Sequence, residues 1–418
     1  MRTIGQFRER LRLRKEERDL RQQASRFGIS LFDSIRFVPE SHWDSVVAAR
    51  PTLRRRYLAG LENSEPDDIQ FRYALCYEGT RPVGAIVVQI VDMSGRALGS
   101  RAQSAESAPS GASLTGKVKT VSRAATDRMG ARVLICGSAF LSGEHGFAFA
   151  DDLKAADVFQ GLADVLYRIR RADKLFGQVG GVLVKDFFAE SDAARHAEEL
   201  TKFGYRSFAV DPTMVVPIRP EWESFEDYVG SMTKKYRGRV KSVRKKGAKL
   251  RSARLSLDEI ASSGRRIHEL LEAVAQKAKF RIVDHPPKYF YAMKEALGDD
   301  FEVTGYFLED RMVGFTSTFV SGGDLEGHYL GLDYAHNREH AVYQNILLDD
   351  VAEGIARRSQ QVWLGRTALE IKSSIGAVPR PLSCYIRHRN PIGNRAMRPL
   401  FHLVKPSQWT RRNPFGET

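Results

Sequence analysis

The sequence predicts an α/β (α+β) fold, in which mixed sheets are flanked by helices. One observation is an apolar strand at 362–364 that runs into a helix, whose start is indicated by the capping-box spacing of Thr367 and Glu370. A second is a pair of hairpin patterns, at 73–91 and 301–320, each with an acidic turn. A third is that apolar residues at helical spacing recur after both hairpins. Strands that alternate with helices in this way are typical of layered α/β domains.

The remaining elements follow from apolar periodicity and turn residues. In the first part we expect a strand at 32–38, a helix that begins with a capping box at Ser41 and Asp44, a second helix after Pro51, a mobile loop at 93–116, a strand at 131–138, a helix over 158–169, a strand at 180–184, a helix at 191–203 and an extended segment at 208–218. In the second part we expect helices at 224–236, 257–280 with a break near Gly264, 289–297 and 342–355, and strands at 325–332, 362–364 and 382–387, the last of which closes the sheet.

The two hairpins belong to a longer repeat. Y-E-G-T-R-P-V-G-A-I-V-V in the first part corresponds to L-E-D-R-M-V-G-F-T-S-T-F in the second, and each is followed by strand, helix, strand, helix and strand. An internal duplication of one α/β unit is the simplest explanation. We therefore expect a basic helical arm at 1–29, one domain at 30–219, a second at 220–405 and a tail at 406–418.

Composition narrows the function classes. The 418 residues include 65 Lys and Arg against 51 Asp and Glu, and the net charge of +14 favours an anionic partner. Three widely spaced cysteines, without CxxC or His clusters, predict a reducing compartment with no disulfides and no metal site. Because no apolar run is as long as a membrane span and the Arg-rich N-terminus lacks a signal-peptide core, we expect a cytoplasmic protein without an integral membrane segment. The basic segment 6–27 fits either a solvated arm or peripheral contact with an anionic membrane.

The strand–helix unit at 362–377 offers two cations at the carboxyl end of a strand, where ligands bind in open α/β sheets. Arg366 presents a planar fork that suits a phosphate or carboxylate of a substrate, and Lys372 presents a movable point charge. The alternative is that both are solvated cations on a short surface helix.

The repeated order of hairpin, strand, long helix, strand, short helix and strand resembles the GNAT acyltransferase fold. Two such units, the second opened by a very basic helix, resemble the Fem-like (tandem GNAT) N-acyltransferases. The motifs that carry the resemblance are S-M-T-K-K-Y-R-G-R-V-K-S-V-R-K-K-G at 231–247, G-H-Y-L-G-L-D-Y at 327–334 and E-I-K-S-S-I-G at 370–376. The third is similar to the Fem family's F-K-x-x-F-G, whose lysine supports the carbonyl under attack, so the resemblance implies that role for Lys372. It covers most of 30–405 and implies two tandem GNAT-like domains.

One departure from the family concerns the acyl donor. GNAT enzymes that use coenzyme A usually carry R/Q-x-x-G-x-G/A before the long helix, where backbone amides bind the pyrophosphate. The corresponding stretch of the second part, A-H-N-R-E-H-A-V at 335–342, has no glycine, and S-G-E-H-G at 142–146 matches poorly. Among the possible co-substrates, an acyl group carried on an acyl carrier protein or a tRNA therefore fits better than acyl-CoA.

A basic stretch supplies a candidate docking surface. From 234 to 254 the chain has eleven Lys or Arg and no acid, and apolar residues fall on a single helical face. We expect Lys235, Arg237 and Arg239 to contact a phosphorylated or acidic partner such as tRNA, an acyl carrier protein or a lipid. The alternative is a solvated helix.

Amide formation requires a group that accepts the proton of the amine and donors for the oxyanion. Glu144 and His145, in a loop after a strand, are candidate bases, as is Asp333 at the end of the strand 325–332. Tyr334 is a candidate proton donor to the leaving group or a packed aromatic side chain.

Two further residues complete the candidates. His328 and Tyr343 are candidate substrate contacts, and His328 and Tyr329 are expected to point to opposite faces of their strand. Cys136 lies in an apolar run and is expected to be a buried, inert thiol.

Together these features predict transfer of an acyl group from an activated ester or thioester to an amine, without a covalent intermediate and without a metal. The acceptor is a small molecule, a peptidoglycan amino group or a lipid long-chain base. The alternatives are a Fem-type peptidoglycan aminoacyltransferase and a non-catalytic module of the same fold that binds RNA or a membrane surface.

Overall fold

The computed structural model describes residues 24–92, 132–173, 178–277, 283–396 and 406–416, together with Arg12. The loop expected at 93–116 and most of the basic arm expected at 1–29 lie outside these residues.

Thirteen strands in the described residues form one continuous mixed sheet. They are β1 (Gly28–Phe32), β2 (Ile69–Glu78), β3 (Arg81–Asp92), β4 (Arg132–Cys136), β5 (Phe147–Phe149), β6 (Val179–Phe188), β7 (Arg206–Pro217), β8 (Arg251–Arg254), β9 (Phe301–Leu308), β10 (Arg311–Ser321), β11 (Asp324–Leu332), β12 (Gln361–Trp363) and β13 (Val378–His388). We refer to β1–β7 as the first half and to β8–β13 as the second half.

Helices cover the faces of this sheet, which confirms the predicted fold class. They are α1 (Glu40–Val47), α2 (Arg55–Asn63), α3 (Ala155–Ala172), α4 (Asp192–His196), α5 (Glu199–Lys202), α6 (Phe225–Gly230), α7 (Lys234–Lys246), α8 (Leu257–Ala275), α9 (Tyr289–Leu297), α10 (Tyr334–His340), α11 (Val342–Ala356), α12 (Leu369–Ser373) and α13 (Pro391–Ala396).

The strand order is symmetric about its centre. It runs β1-β2-β3-β4-β6-β13-β7-β12-β11-β10-β9-β8, with β5 paired to β3 outside this path. Corresponding strands of the two halves therefore lie at equal distances from the central β13–β7 pair. The parallel pairs, β4–β6 and β11–β12, also correspond. This arrangement is what an internal duplication produces.

The last strand of each half pairs with strands of the other half. β13, from the end of the second half, lies between β6 and β7, and β7, from the end of the first half, lies between β13 and β12. The central pair is antiparallel and extends from Val378–Val215 to Ile386–Arg206. The two halves thus share backbone hydrogen bonds across the middle of the sheet.

Aromatic side chains fill the space between the halves. Phe140 stacks on Tyr289 with ring centroids 5.3 Å apart, and Tyr57 lies 6.0 Å from Phe319. These residues belong to one buried apolar cluster to which both halves contribute. Burial of this surface adds to the hydrogen bonds of the central strands in joining the halves.

Several local predictions are wrong. The strand expected at 32–38 ends at Phe32, because Glu62 accepts hydrogen bonds from the Ser34 hydroxyl (2.6 Å) and the Ile35 amide (2.8 Å), and these local bonds favour a turn. The helix expected to break near Gly264 is continuous. The strand expected to close the sheet, β13, lies at its centre.

Neither predicted capping box forms. Helix α1 begins at Glu40, one residue before Ser41, and its N-cap Pro39 has no side chain that can accept a hydrogen bond. Before α12, Ala368 adopts a left-handed conformation (φ +52°) and shifts the helix start beyond Thr367. Packing, not a cap, therefore holds these two short helices.

The strand exchange makes a prediction about separated halves. Because β13 fills the place between β6 and β7, fragments 1–219 and 220–418 should each unfold without a cooperative transition when alone. When they are co-expressed, they should form a 1:1 complex that melts cooperatively. Size-exclusion chromatography and thermal denaturation measure both outcomes, and the intact chain cleaved after folding at an inserted protease site is the control. A monomeric fragment 1–219 with a cooperative transition would contradict the dependence of each half on the other's strand. The domain boundaries expected at 30–219 and 220–405 remain predictions.

Candidate active site

A gap opens in the second half where β12 leaves β11. The two strands pair only at Leu325–Val362 and Glu326–Trp363. The chain then turns away at Gly365, whose positive φ of +72° suits glycine. Within the described residues, the rest of β11 has no strand paired to it on this side.

A β-bulge in β11 directs two side chains to one side of the sheet. Ser317 of β10 stands opposite both His328 and Tyr329, and the register shifts there. The Ser317 hydroxyl accepts a hydrogen bond from the Tyr329 amide (3.1 Å) and donates one to the Tyr329 carbonyl (3.2 Å). One buried hydroxyl therefore replaces the ladder bonds that the bulge interrupts.

The expectation that His328 and Tyr329 point to opposite faces is wrong, because the bulge breaks the alternation. Their ring centroids are 4.2 Å apart. The Tyr329 hydroxyl donates to the carbonyl of Phe140 in the first half (2.6 Å), and the Tyr289 hydroxyl shares a hydrogen bond with Nε2 of His328 (2.5 Å). Burial, with His285 and His145 nearby, lowers the pKa of His328 well below its usual value. His328 is therefore a neutral hydrogen-bonding group.

Glu326 lies at the point where the gap begins. Protein atoms surround its carboxylate, and this desolvation, together with the nearby Asp324, raises the pKa of Glu326 to about 8. Tyr57 and Tyr289 lie close enough for its charge to raise their own pKa values. A carboxyl group poised near neutral pH in an interior gap has the properties of a proton acceptor.

Lys372 is buried on the inner face of α12, with 3% of its surface exposed. Its ammonium group donates a hydrogen bond to the carbonyl of Leu364, just after β12. Burial lowers the pKa of Lys372 to about 7, and Asp350 partly opposes this shift. The side chain therefore points to the interior beside the gap, and the alternative of a solvated surface cation does not apply to it.

Asp350, on α11, is the acidic neighbour of Lys372. It is 4% exposed, and burial together with Asp349 raises the pKa of Asp350 to about 8, while Lys372 opposes the rise. The hydroxyl of Thr316 hydrogen-bonds to it. A Cβ atom on Gly327 would lie 3.4 Å from the Asp350 carboxylate, so Asp350 faces β11 from the side opposite Glu326.

The C-terminal segment 406–416 holds α12 in place. The Arg412 amide donates to the Ser373 hydroxyl (3.0 Å), and the Thr233 amide donates to the Pro414 carbonyl (2.8 Å). The ring of Phe415 occupies the position that a Cβ on Gly376 would need, at 2.5 Å. The segment expected to be a tail is therefore part of the support for Lys372.

Arg366 belongs to a buried charge network that joins the halves. Its guanidinium pairs with Asp186 of β6, which is fully buried and has a left-handed backbone (φ +64°). The Asp186 carboxylate also accepts from Lys185 Nζ (2.6 Å) and the Gly143 amide (3.2 Å). Burial opposes ionisation, but the neighbouring cations Lys185 and Arg366 lower the pKa of Asp186 to about 2. Arg366 therefore fixes the start of the segment that leads to Lys372.

Glu144 and His145 are occupied by structural bonds. Glu144 accepts from the Phe188 amide (3.1 Å) and the Ser191 hydroxyl, and burial raises its pKa. His145 Nε2 donates to the Ser142 carbonyl (3.1 Å), so Nδ1 accepts from Thr52 (2.8 Å). Burial lowers the pKa of His145 to about 4. The lone pair of Nδ1, which a base would need, already accepts the hydrogen bond from Thr52.

The residues after β11 make structural contacts, and Tyr334 takes the packed alternative expected for it. Asp333 caps α10 by accepting from the Ala335 amide (3.1 Å), and Arg266 (2.9 Å) and Arg311 (2.8 Å) pair with it. These partners lower the pKa of Asp333 although burial opposes them. Tyr334 packs under Lys277, whose ammonium lies 3.2 Å from the ring centroid, and burial raises the pKa of Tyr334.

The other candidate contacts lie away from Glu326. Tyr343, on α11, is packed between apolar residues, and its hydroxyl has no hydrogen-bond partner within the described residues. Lys235 and Arg239 lie on the exposed side of α7, on either side of Tyr236, while Arg237 donates to the Gly230 carbonyl (3.1 Å). Cys136 is buried and its pKa is raised, as its apolar neighbours predict.

Lys372 and Arg366 follow β12 and His328 lies in β11, so all three belong to the segments that border the gap. Glu326 and Asp350, which the sequence analysis missed, lie on opposite faces of β11, with Asp350 on the side of Lys372. Asp350 had a detectable signal, because it lies on the apolar face of the helix 342–355. Within the described ranges, no three His, Cys, Asp or Glu side chains come together as a metal site would require. No helix in these ranges combines the length and the apolar character needed to cross a membrane.

Ser317→Ala tests the bulge. Loss of the hydroxyl leaves the Tyr329 amide and carbonyl without their partner, so we expect a loss of about 1–3 kcal/mol in the free energy of unfolding, measured by urea denaturation. Ser262→Ala is the control, because the exposed Ser262 hydroxyl only donates to the Glu259 carbonyl of its own helix. Equal, small losses in both variants would contradict the role of Ser317.

Asp350→Asn tests the raised pKa of this buried acid. Because its pKa is about 8 in the folded state and near 4 when unfolded, the folded state binds more protons between these values, and stability falls as pH rises through this window. Asp350→Asn should reduce this slope between pH 5 and 8 by up to about 1.4 kcal/mol per pH unit, measured by urea denaturation at several pH values.

The matched control is Asp333→Asn. The pKa of Asp333 is lowered, so its contribution to stability is fully present above about pH 4 and is lost as the pH falls further. The variant should be less stable than the parent protein with an unchanged slope between pH 5 and 8. Identical slopes in Asp350→Asn and the parent protein would show that the carboxyl of Asp350 is already ionised.

No protein-family model and no curated protein matches the sequence, so the comparison rests on solved structures. A tandem GNAT protein from the clavulanic acid biosynthesis pathway superposes with a TM-score of 0.51 and 10% identity, over 87% of this chain and 99% of that chain. FemX gives a TM-score of 0.48 with 12% identity, over 90% and 99% of the two chains. L-PGS from Bacillus licheniformis gives 0.41 with 12% identity, over 83% and 94%. The likeness to the tandem GNAT protein shows that this chain has a GNAT-type fold in tandem, as its sequence predicts.

Proposed function

We propose that this protein is an N-acyltransferase whose reaction takes place at the gap between β11 and β12. The observation that carries the proposal is the placement of Lys372 beside this gap, buried and with a lowered pKa. A buried cation that donates to a backbone carbonyl can donate equally to the carbonyl oxygen of a substrate. Glu326, at the start of the same gap, supplies the proton acceptor that an amine nucleophile requires.

In the proposed step, the nitrogen of a neutral amine attacks the carbonyl carbon of a thioester or ester. The C–N bond forms, Lys372 donates a hydrogen bond to the oxyanion, and Glu326 takes the proton of the amine. The C–S or C–O bond to the carrier then breaks, and the leaving thiolate or alkoxide takes the proton that Glu326 received from the amine. No covalent intermediate with the protein is needed.

The acyl donor is proposed to be bound to a carrier. The N-terminus of α11, where a pyrophosphate would bind in a coenzyme A enzyme of this fold, is already capped, because the Asn337 side chain accepts from the Tyr343 amide (2.9 Å). Helix α10 and the left-handed Ala341 take the place of a glycine loop. These features support an acyl carrier protein or a tRNA in preference to acyl-CoA.

The exposed side of α7 is the proposed docking surface for that carrier. Lys234, Lys241, Lys245 and Lys246 are exposed and have no ion-pair partner among the described residues. Arg244 instead pairs with Asp349 of α11 (2.6 Å), which anchors the helix to the second half. A free cationic surface anchored to the catalytic half would attract an acidic carrier, a tRNA or an anionic membrane.

Acyl transfer is tested with acyl carrier protein, acyl-CoA and aminoacyl-tRNA donors and with polyamine and long-chain-base acceptors. Lys372→Met should lower kcat by roughly 10²-fold or more, as expected for the loss of an oxyanion donor. If Glu326 must be ionised and Lys372 protonated, activity should peak near pH 7–8, and Lys372→Arg should extend the alkaline limb because arginine stays protonated.

Two comparisons separate the parts of this proposal. Lys241→Glu with Lys245→Glu should raise KM for the carrier-bound donor and leave kcat unchanged, whereas Lys202→Glu, on the first half, should change neither. Activity with none of the donors, or full activity in Lys372→Met, would overturn the proposed reaction. Salt-sensitive binding of RNA or anionic vesicles without any transfer would instead support the non-catalytic alternative.

A further inference from the structure

A cavity of about 220 Å³ lies in the second half, outside the gap described above. Helix α8 forms one wall with Ile260, Gly264 and Ile267, and the segment 286–291 forms the other. Among the described residues most of the lining is apolar, and His268, Lys288 and the hydroxyl-bearing Tyr291 are its polar members. An apolar cavity of about 150 Å³ is large enough to bind benzene, so this one has room for a small apolar group.

Gly264 lines this cavity, and no close packing contact requires a glycine at this position. It lies inside a continuous helix with no positive φ, and a Cβ atom added there would meet nothing within 4 Å. Glycine in a helix interior is unfavourable relative to alanine, and that disadvantage here brings no closer packing. What glycine does provide is free space at the middle of the cavity wall.

The shape of the wall favours a chain over a ring. The lining residues of α8 extend from Ile260 to His268, and the eight helical steps between them correspond to about 12 Å along the helix axis. The cavity is partly open to solvent, and Lys288 stands at its edge, where its ammonium pairs with the exposed Glu65 (2.7 Å). An elongated apolar trough with a cation at one edge suits an aliphatic chain that carries a carbonyl or carboxylate group.

One aromatic layer separates the cavity from the gap. Phe290 lines the cavity, and its ring lies 5.3 Å from the ring of Tyr289, whose hydroxyl bonds to His328. Phe290 also lies 5.1 Å from Phe315 of β10. A ligand in the cavity would therefore contact the side chains that support the candidate active site.

We propose that this cavity binds a medium-length aliphatic chain, with Gly264 as the residue that keeps it open. The inference rests on the proposed function in one respect, which is that the bound aliphatic chain is identified as the acyl chain of the donor. Binding itself requires no transfer, so the cavity and the reaction can be tested apart.

The probe is decanoate, which displaces the fluorescent fatty acid cis-parinaric acid from the intact protein. We expect saturable binding that Gly264→Leu weakens at least tenfold, because the leucine side chain extends into the cavity, and that Gly264→Ala weakens less. Gly238→Leu is the matched control, since Gly238 also lies inside a helix with nothing within 4 Å of an added Cβ but outside the cavity. It should leave binding unchanged.

Two outcomes would overturn the inference. One is equal decanoate binding in Gly264→Leu, Gly238→Leu and the parent protein, with thermal denaturation confirming that all are folded. The other is displacement by benzoate as effective as that by decanoate, which would indicate a ring site. If transfer is found, Gly264→Leu should lower the rate with a decanoyl donor and spare an acetyl donor. If decanoate binds but no donor supports acyl transfer, the binding site in the cavity is supported and the proposed function is contradicted.

Discussion

The antiparallel pairing of β7 with β13 is the constraint on which the rest of the structure depends. Each strand comes from the end of its own half and completes the sheet of the other, so neither half has a full sheet without its partner. The exchange also fixes where the side chains between the halves meet. The hydrogen bond from Tyr329 to the Phe140 carbonyl and the stacking of Phe140 on Tyr289 both depend on this fixed placement.

Buried charge reinforces the same junction. Asp186 accepts bonds from Lys185 on its own strand, from the Gly143 amide in the loop after β4, and from Arg366 after β12. Removing one partner of a buried carboxylate costs free energy, because the charge is then incompletely compensated. The contacts between β6, the loop after β4 and the segment after β12 should therefore form together. Asp186 adopts a left-handed backbone, which costs free energy that this network offsets. The segment that carries Lys372 is thereby tied to the first half.

Patterns of local sequence account for the parts that were predicted. The hairpins, the long helices and the placement of Lys372 after a short strand follow from periodicity and turn residues, which act over a few residues. The bulge at His328 and Tyr329 was not predictable in this way, because it depends on Ser317 of the neighbouring strand. The same holds for the strand exchange and for the C-terminal segment over α12, since both are contacts between distant parts of the chain.

The duplicated halves differ where chemistry is proposed. In the second half, α12 buries Lys372 beside Asp350, but the corresponding helix of the first half, α4, has no buried residue and exposes Arg195 to an ion pair with Asp192. The loop after β4 correspondingly uses its polar side chains to hold backbone atoms, as Glu144 does. Because buried ionisable groups destabilise a fold unless they are fully compensated, a half that keeps two of them has a reason other than stability to do so. Under the proposed function, this asymmetry assigns the reaction to the second half and a structural role to the first.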